Sequence, residues 1–288
     1  MANTDPGALA EKSGHQYDWQ NPNRKSFDFG RVFGRSFTSL FASPRLVLIA
    51  IAIGLALTVL SAILMTSQLQ GVLENSSPEE FMLDGGYWAW TGAISMFGLL
   101  LTVWVQLVVI QTAYANITET DAPSNAFGRA LRLTIPMFVT AIIYVIVCYI
   151  GMIPLFIGFI FIWPGWALAG PMMVHENKGV FSSLGASWNF SKGNKRYIFL
   201  LLLVMAIIGI VVYSVALGIG MMFTGVNVMA GDPTAMFNMS IGQQLIYNGT
   251  AGLGGYFLYA LFASALTSAY LEIKELKSGV ASVGDVFT

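Results

Sequence analysis

The chain has 288 residues, a formal net charge of −1, 56% apolar residues and only 10% charged ones. Soluble domains carry roughly 25% charged residues, so this composition excludes an ordinary soluble protein. The near-neutral balance also excludes a strongly basic nucleic-acid binder. The single cysteine, Cys148, lies in an apolar run and has no partner for an intramolecular disulfide.

In chain order, residues 1–25 are rich in Asn, Asp, Gln, Lys and Gly and lack the apolar core of a signal peptide. They are predicted to form a disordered tail, with too few apolar groups to offset the entropy of ordering. From residue 27 to 43, Phe29, Phe33, Phe37, Leu40 and Phe41 recur at helical spacing, while Arg31, Arg35, Thr38 and Ser39 fall mainly on other faces. An aromatic stripe beside arginines suits a helix lying in the headgroup layer against anionic lipid. Phe29, Arg31, Phe33, Arg35 and Phe37 are therefore expected at a lipid interface; the competing arrangement packs that stripe on the bundle.

Six apolar spans follow, at 46–65, 90–114, 133–149, 154–174, 197–223 and 253–271. Helices are expected because a segment in lipid must satisfy its own backbone polar groups. The third and fourth spans are nearly continuous. One helix over 133–174 would be about 63 Å long, twice the roughly 30 Å of a hydrocarbon core. Gly151 and Pro154 supply the break for a tight hairpin.

The 14 Lys and Arg test the parity of that count. All fall before the first span, between the second and third, between the fourth and fifth, or after the sixth. The other three connections carry Glu74, Glu79, Glu80, Asp84 and Asp232 instead. By the positive-inside rule both ends are expected in the cytoplasm.

The chain also repeats itself. Gln111-Thr112-Ala113-Tyr114-Ala115-Asn116-Ile117 matches Thr267-Ser268-Ala269-Tyr270-Leu271-Glu272-Ile273, and Phe33-Gly34-Arg35-Ser36 matches Phe127-Gly128-Arg129-Ala130. A looser version runs from Phe181 to Trp188. The expected unit is an amphipathic interfacial helix followed by a two-helix hairpin, repeated three times. The resulting fold is an all-α membrane protein with a six-helix domain over 26–277 and tails at 1–25 and 278–288. In the third unit Val180, Phe181, Leu184 and Trp188 form the apolar stripe ahead of Lys192, Lys195 and Arg196, which places Trp188 at the lipid interface as well.

Two sets of residues bear on chemistry. Trp163, Pro164 and Trp166 lie near the middle of the fourth span, with Pro171 further on, so a kink there opens room for a cavity unless packing fills it. His175 and Glu176 follow that span, but the only other histidine is His15, whereas zinc sites need three or four ligands. Glu176 is expected to pair with Arg196 or to cap the next helix. No P-loop, dinucleotide fingerprint or HExxH pattern occurs. The spans contain no Asp, Glu, Lys, Arg or His, which argues against ion coupling. Gln106 and Gln111 are expected to bond between helices. Ala260, Ser264 and Ser268 recur every four residues, as do Ala216 and Gly220, allowing close helix approach.

The stretch from Pro164 through Gly170-Pro171-Met172-Met173-Val174-His175-Glu176-Asn177-Lys178-Gly179, continuing through Ser183, Ser187-Trp188 and Lys192-Gly193, resembles a bacterial six-span family. That family includes the membrane domain fused in some species to glycerophosphodiester phosphodiesterases, together with stand-alone inner-membrane proteins. The resemblance covers about 27–277 and implies the six-helix fold. It does not bring the enzyme, since the chain has no room for a catalytic barrel. The expected function is a non-enzymatic scaffold or membrane-organising role, with a facilitator of a small neutral or lipidic substrate as the alternative. No cofactor is expected. Expected partners are membrane lipids, anionic ones included, and a protein partner or second copy, without nucleic acid.

Overall fold

The computed structural model describes residues 26–42, 44–75, 85–118, 120, 124–153, 157–225 and 239–284. Nine helices and no strand occur among them: α1 (Phe29–Ala42), α2 (Pro44–Asn75), α3 (Gly85–Ile117), α4 (Ala126–Met152), α5 (Ile157–Trp166), α6 (Ala169–His175), α7 (Val180–Phe190), α8 (Lys195–Thr224) and α9 (Ile241–Gly284). Five are long and apolar enough to cross a membrane: α2 over Pro44–Leu64, α3, α4, α8, and α9 over Ile241–Ser278. The protein is an all-helical, multi-pass membrane protein. The tail expected at 1–25 lies outside the described residues, as do Pro154 and the acidic residues Glu79, Glu80, Asp84 and Asp232. The last turns of α9 run to Gly284, into the tail expected at 278–288.

Local chemistry explains most of the boundaries. Pro44 opens α2 at a position where a missing N–H costs nothing. Gly225 ends α8 in the left-handed region at φ 66°, its N–H donating to the Met221 carbonyl at 3.0 Å.

The fourth span departs from expectation. It is two helices, α5 and α6, separated by a turn at Ala167–Leu168. Pro164 lacks a donor, and Pro171, in the first turn of α6, cannot bond back toward residue 167, so the ladder breaks between them. The broken segment still runs antiparallel to α4 along its length. A Cβ at Gly158 would lie 2.8 Å from Gly151 Cα. The Tyr144 hydroxyl donates to the Trp163 carbonyl at 2.9 Å. A Cβ at Gly170 would meet Met137 at 2.8 Å.

The second repeat also differs from expectation. Phe127-Gly128-Arg129-Ala130 forms the opening turns of α4 and is not a separate interfacial helix. Between Arg129 and Ile135 there is no glycine or proline to interrupt it.

α9 is the central element: 72% of its apolar window is buried, against at most 33% for the other four membrane helices. It packs on α1, α2, α3 and α8. Its small residues serve that packing within the chain. Ala260, Ser264 and Ser268 are all buried. The Ser264 hydroxyl donates to the Ser36 carbonyl at 2.8 Å and lies 2.6 Å from the Ser39 hydroxyl, both on α1. Against α8, a Cβ at Gly254 would meet Ala216, and one at Gly220 would meet Thr250. The outer faces carry exposed apolar side chains, among them Leu48, Ile53, Leu60, Ile207, Ile210 and Val211. Apolar surface this extensive is what lipid, and not water, accommodates.

Candidate functional site

Arg31, Arg35, Arg129, His175, Glu176, Glu272 and Glu275 lie at one end of the bundle, where α1, the starts of α4 and α8, and the ends of α3, α6 and α9 meet.

The first cluster joins α1 to α9. Arg31 Nη2 lies 2.7 Å from Glu272 Oε1 and 2.5 Å from Oε2. Arg35 Nη1 donates to Glu275 Oε1 at 3.1 Å and stands 3.7 Å from Glu272. The Asp28 N–H also donates to Glu272. Glu272 is fully buried, so its charge is sustained by guanidinium and amide donors in place of water. Arg31 and Arg35, expected to face anionic lipid, thus spend their guanidinium groups on carboxylates of the chain's own last helix.

The aromatic stripe beside them is a stacked column. Phe29 and Phe33 have ring centroids 6.2 Å apart, and Phe33 and Phe37 5.1 Å apart. All three are half-buried against the core. The face of α1 turned fully inward consists of Val32, Ser36, Ser39 and Leu40, while Phe41 is exposed. The α7 helix repeats the pattern, with Ser183, Leu184 and Ser187 buried and Phe181 exposed. Small hydroxyl residues on the inner face let each short helix lie close to the bundle.

The break between α5 and α6 is where Trp163, Pro164, Trp166, Pro171 and Trp188 come together, and it is filled. The Gly165 carbonyl, freed by the break, accepts from Ser187 at 2.9 Å and Ser191 at 3.3 Å. The Trp188 ring lies where a Cβ on Gly165 would sit, and Lys195 Nζ stands 3.0 Å above that ring. Trp163 stacks on Phe159 and meets Phe199 edge-on. Trp166 is half-buried beside Tyr144, and Pro164 and Pro171 are buried. Trp188, expected at the lipid interface, instead helps close the break.

The second polar cluster surrounds His175, beyond the span expected at 154–174. Its ring stacks on Tyr114 at 3.8 Å and on Tyr270 at 6.2 Å. These tyrosines occupy matching places in the repeated Ala-Tyr-x-x-Ile segments. Burial, aided by the charges of Arg129 and Lys274, lowers the His175 pKa to about 3. The imidazole is neutral at physiological pH, hydrogen-bonded to Ile110, with Nε2 buried and without a partner among the described residues. Glu176 does not pair with Arg196, whose guanidinium donates to Tyr197. It accepts from the Tyr270 hydroxyl at 2.8 Å and pairs with Lys178 at 2.7 Å. Burial acts to raise its pKa, but the bonds from Lys178 and Tyr270 and the charges of Lys178 and Lys274 outweigh it and hold the carboxyl low.

Arg129 and Gln111 complete the end of the bundle. Arg129 donates to the Val174 carbonyl at 2.5 Å and to Asn177 Oδ1 at 3.2 Å. The buried Gln111 donates to the Ala126 carbonyl, bonding α3 to α4 as expected. Among the described residues no group of three His, Cys, Asp or Glu is placed to hold a metal ion. The arrangement provides fixed charge, neutral aromatic stacking and hydrogen-bonded closure. A nucleophile with an adjacent base is not part of what it assembles.

The role of Glu272 and of the two tyrosines was missed by sequence reasoning, although the repeated Ala-Tyr-x-x-Ile segments mark their positions. A scan against family models, a search of curated proteins and a search of solved structures each return no match for this chain.

Proposed function

We propose that this protein is a non-enzymatic component of the bacterial inner membrane that organises its surroundings through lipid and protein contacts. One observation carries this over the facilitator alternative. The break at Gly165, where a passage would be expected, is occupied by the Trp188 ring and by the Ser187 and Ser191 hydroxyls. Freed carbonyls in a broken membrane helix commonly line a transport path. Here they are consumed by the protein's own side chains.

Six crossings fit this picture. Within α5 and α6 the stretch 157–174, which stops short of His175, is about 27 Å if straight at 1.5 Å per residue. They run beside α4, itself long enough to cross, so the broken segment has the reach of a fourth crossing. With six, both ends lie on the side bearing the 14 Lys and Arg, the cytoplasmic side by the positive-inside rule. The threefold repeat is supported by the shared inward serines of α1 and α7 and by the matched placement of Tyr114 and Tyr270 around His175. The exposed apolar belt and the outward Phe41 and Phe181 supply the lipid-contacting surface. The resemblance to the six-span family is consistent with this role and adds no reaction to it.

The test is reconstitution of the full chain into vesicles, with glycerol permeation followed by stopped-flow light scattering. Rates equal to those of protein-free vesicles are expected, for wild type and Trp188→Ala alike. Protein-dependent permeation that Trp188→Ala changes would replace the organising role with that of a facilitator.

A further inference from the structure

At the charged end, the start of α4 and the connection between α6 and α7 enclose a cleft with a volume of about 500 Å³. It is lined by Ser124, Asn125, Arg129, Arg132, Leu133 and Asn177. We propose that this cleft binds a phosphate-bearing anion. The assignment goes beyond the organising role proposed above, because it rests on the cleft's own residues.

Three features point to an anion. First, among the described residues the lining holds two guanidinium groups and no carboxylate. Arg129 is already oriented by the Val174 carbonyl and Asn177, the latter held in the left-handed region at φ 50°. Arg132, three residues on and so on the same side of the helix, has no hydrogen-bond or ion-pair partner among the described residues. Two arginines lining one space supply the charged donors that a phosphate accepts.

Second, the cleft lies at the N-terminus of α4. Among the described residues the first helical bond there is Arg129 N–H to the Asn125 carbonyl at 2.9 Å, and the amides of the first turn, Gly128 included, are those a helix leaves without helical acceptors. Asn125 does not cap them; its carboxamide lies against Gly128, where a Cβ would collide with it. Amide donors and the helix dipole add to the attraction for an anion. Third, the local field is already felt by the protein: Arg129 is among the groups that hold the neighbouring His175 neutral.

The same chemistry could come from a phospholipid headgroup or from free phosphate. The full chain is purified and delipidated in detergent, then titrated with phosphatidylglycerol by native mass spectrometry. Separately, it is placed in phosphatidylcholine nanodiscs and titrated with inorganic phosphate by calorimetry. Arg132→Gln is the main variant, since Arg132 is exposed and supports no fold contact. Arg129→Gln is the second, and Arg45→Gln, an exposed arginine at the start of α2, is the charge control.

Binding of either probe, weakened about tenfold or more by Arg132→Gln and unchanged by Arg45→Gln, is the expected result. Binding of phosphatidylglycerol alone assigns the site to a headgroup, and binding of inorganic phosphate assigns it to a free anion. No binding of either probe, or equal weakening by Arg45→Gln and Arg132→Gln, overturns the site. The permeation result bears only on the organising role, so the two can fail separately.

Discussion

Ser187 and Gly165 are both buried, and the serine hydroxyl reaches 2.9 Å across to the glycine carbonyl from a different helix. A backbone break inside an apolar bundle is thereby sealed by a side chain 22 residues later in the chain. Removing the donor leaves a buried carbonyl with only the longer bond from Ser191. Ser187→Ala should cost about 1–2 kcal/mol, and Ser187→Ala with Ser191→Ala more than either alone. Gly165→Ala should destabilise by a similar amount through overpacking against Trp188, and Trp188→Leu should partly relieve it. Thermal unfolding in detergent reads all of these variants; an unaffected double serine variant would show that the seal contributes nothing.

The α1–α9 ion cluster predicts an asymmetry between two neighbouring carboxylates. The Glu272 side chain is fully buried, whereas that of Glu275 is 23% exposed. Removing Glu272 takes away the closest partner of Arg31 and leaves it the longer 3.6 Å contact with Glu275, while Arg35 keeps its own bond to Glu275, so Glu272→Ala should cost about 3 kcal/mol, the low end for a broken buried pair. Glu275→Ala should cost about 1 kcal/mol or less, as expected of a more exposed pair. Equal losses of melting temperature would contradict the assigned geometry.

His175 predicts a pH dependence with a definite sign. Its folded-state pKa of about 3 lies below the ordinary 6.5. The stability this contributes is therefore fully present above 6.5 and is lost as the pH falls from there toward 3. The slope approaches about 1 kcal/mol per pH unit. The stability from Glu176, whose carboxyl is held below the ordinary carboxylate range, is constant here and is lost only at more acid pH, so the interval from 6.5 to 5 isolates the histidine. His175→Phe keeps a ring between Tyr114 and Tyr270 and should flatten the melting curve over that interval. Parallel pH profiles for wild type and variant would show that the imidazole remains neutral in the unfolded chain too, or charges freely when folded.

Phe33 separates lipid contact from bundle packing. It stacks between Phe29 and Phe37 and is half-buried against the core. Phe33→Asp should lower the melting temperature of the whole protein, by roughly 2 kcal/mol in stability. A peptide of residues 26–43 tests the lipid side. Strong binding to anionic vesicles together with an undisturbed Phe33→Asp protein would return the stripe to the membrane surface.

Much of the fold was legible because lipid imposes a length and an apolar composition that few other environments demand. The spans at 46–65, 90–114, 133–149, 197–223 and 253–271 each lie within one of the five long helices. An interruption near Pro164 was legible as a kink, since a residue without a donor disturbs the ladder, and the structure carries it to a full break between two helices. Its closure by Trp188 was not, because nothing local in the sequence says which ring will cover a glycine. The separate interfacial helix expected at Phe127 failed for a local reason. Pro44 ends the first such helix and the Gly193 turn at φ 84° the other, but no breaker follows Arg129 before the apolar run. Arg31 and Arg35 read as lipid-facing because their partners lie about 240 residues away in sequence. Spacing rules reach only three or four residues along a helix.

That separation has a consequence for biogenesis. The contacts of α1 with Ser264, Glu272 and Glu275 cannot form until almost the whole chain has been made. At translation rates of about 5–20 residues per second, α1 waits on the order of ten to fifty seconds before its partner helix emerges. During that interval its two arginines have only water, headgroups or chaperones to meet. The aromatic column beside them, together with the adjoining membrane helix α2, can then hold the early chain at the membrane. Closure of Arg31 and Arg35 onto α9 becomes the event that marks the bundle as complete.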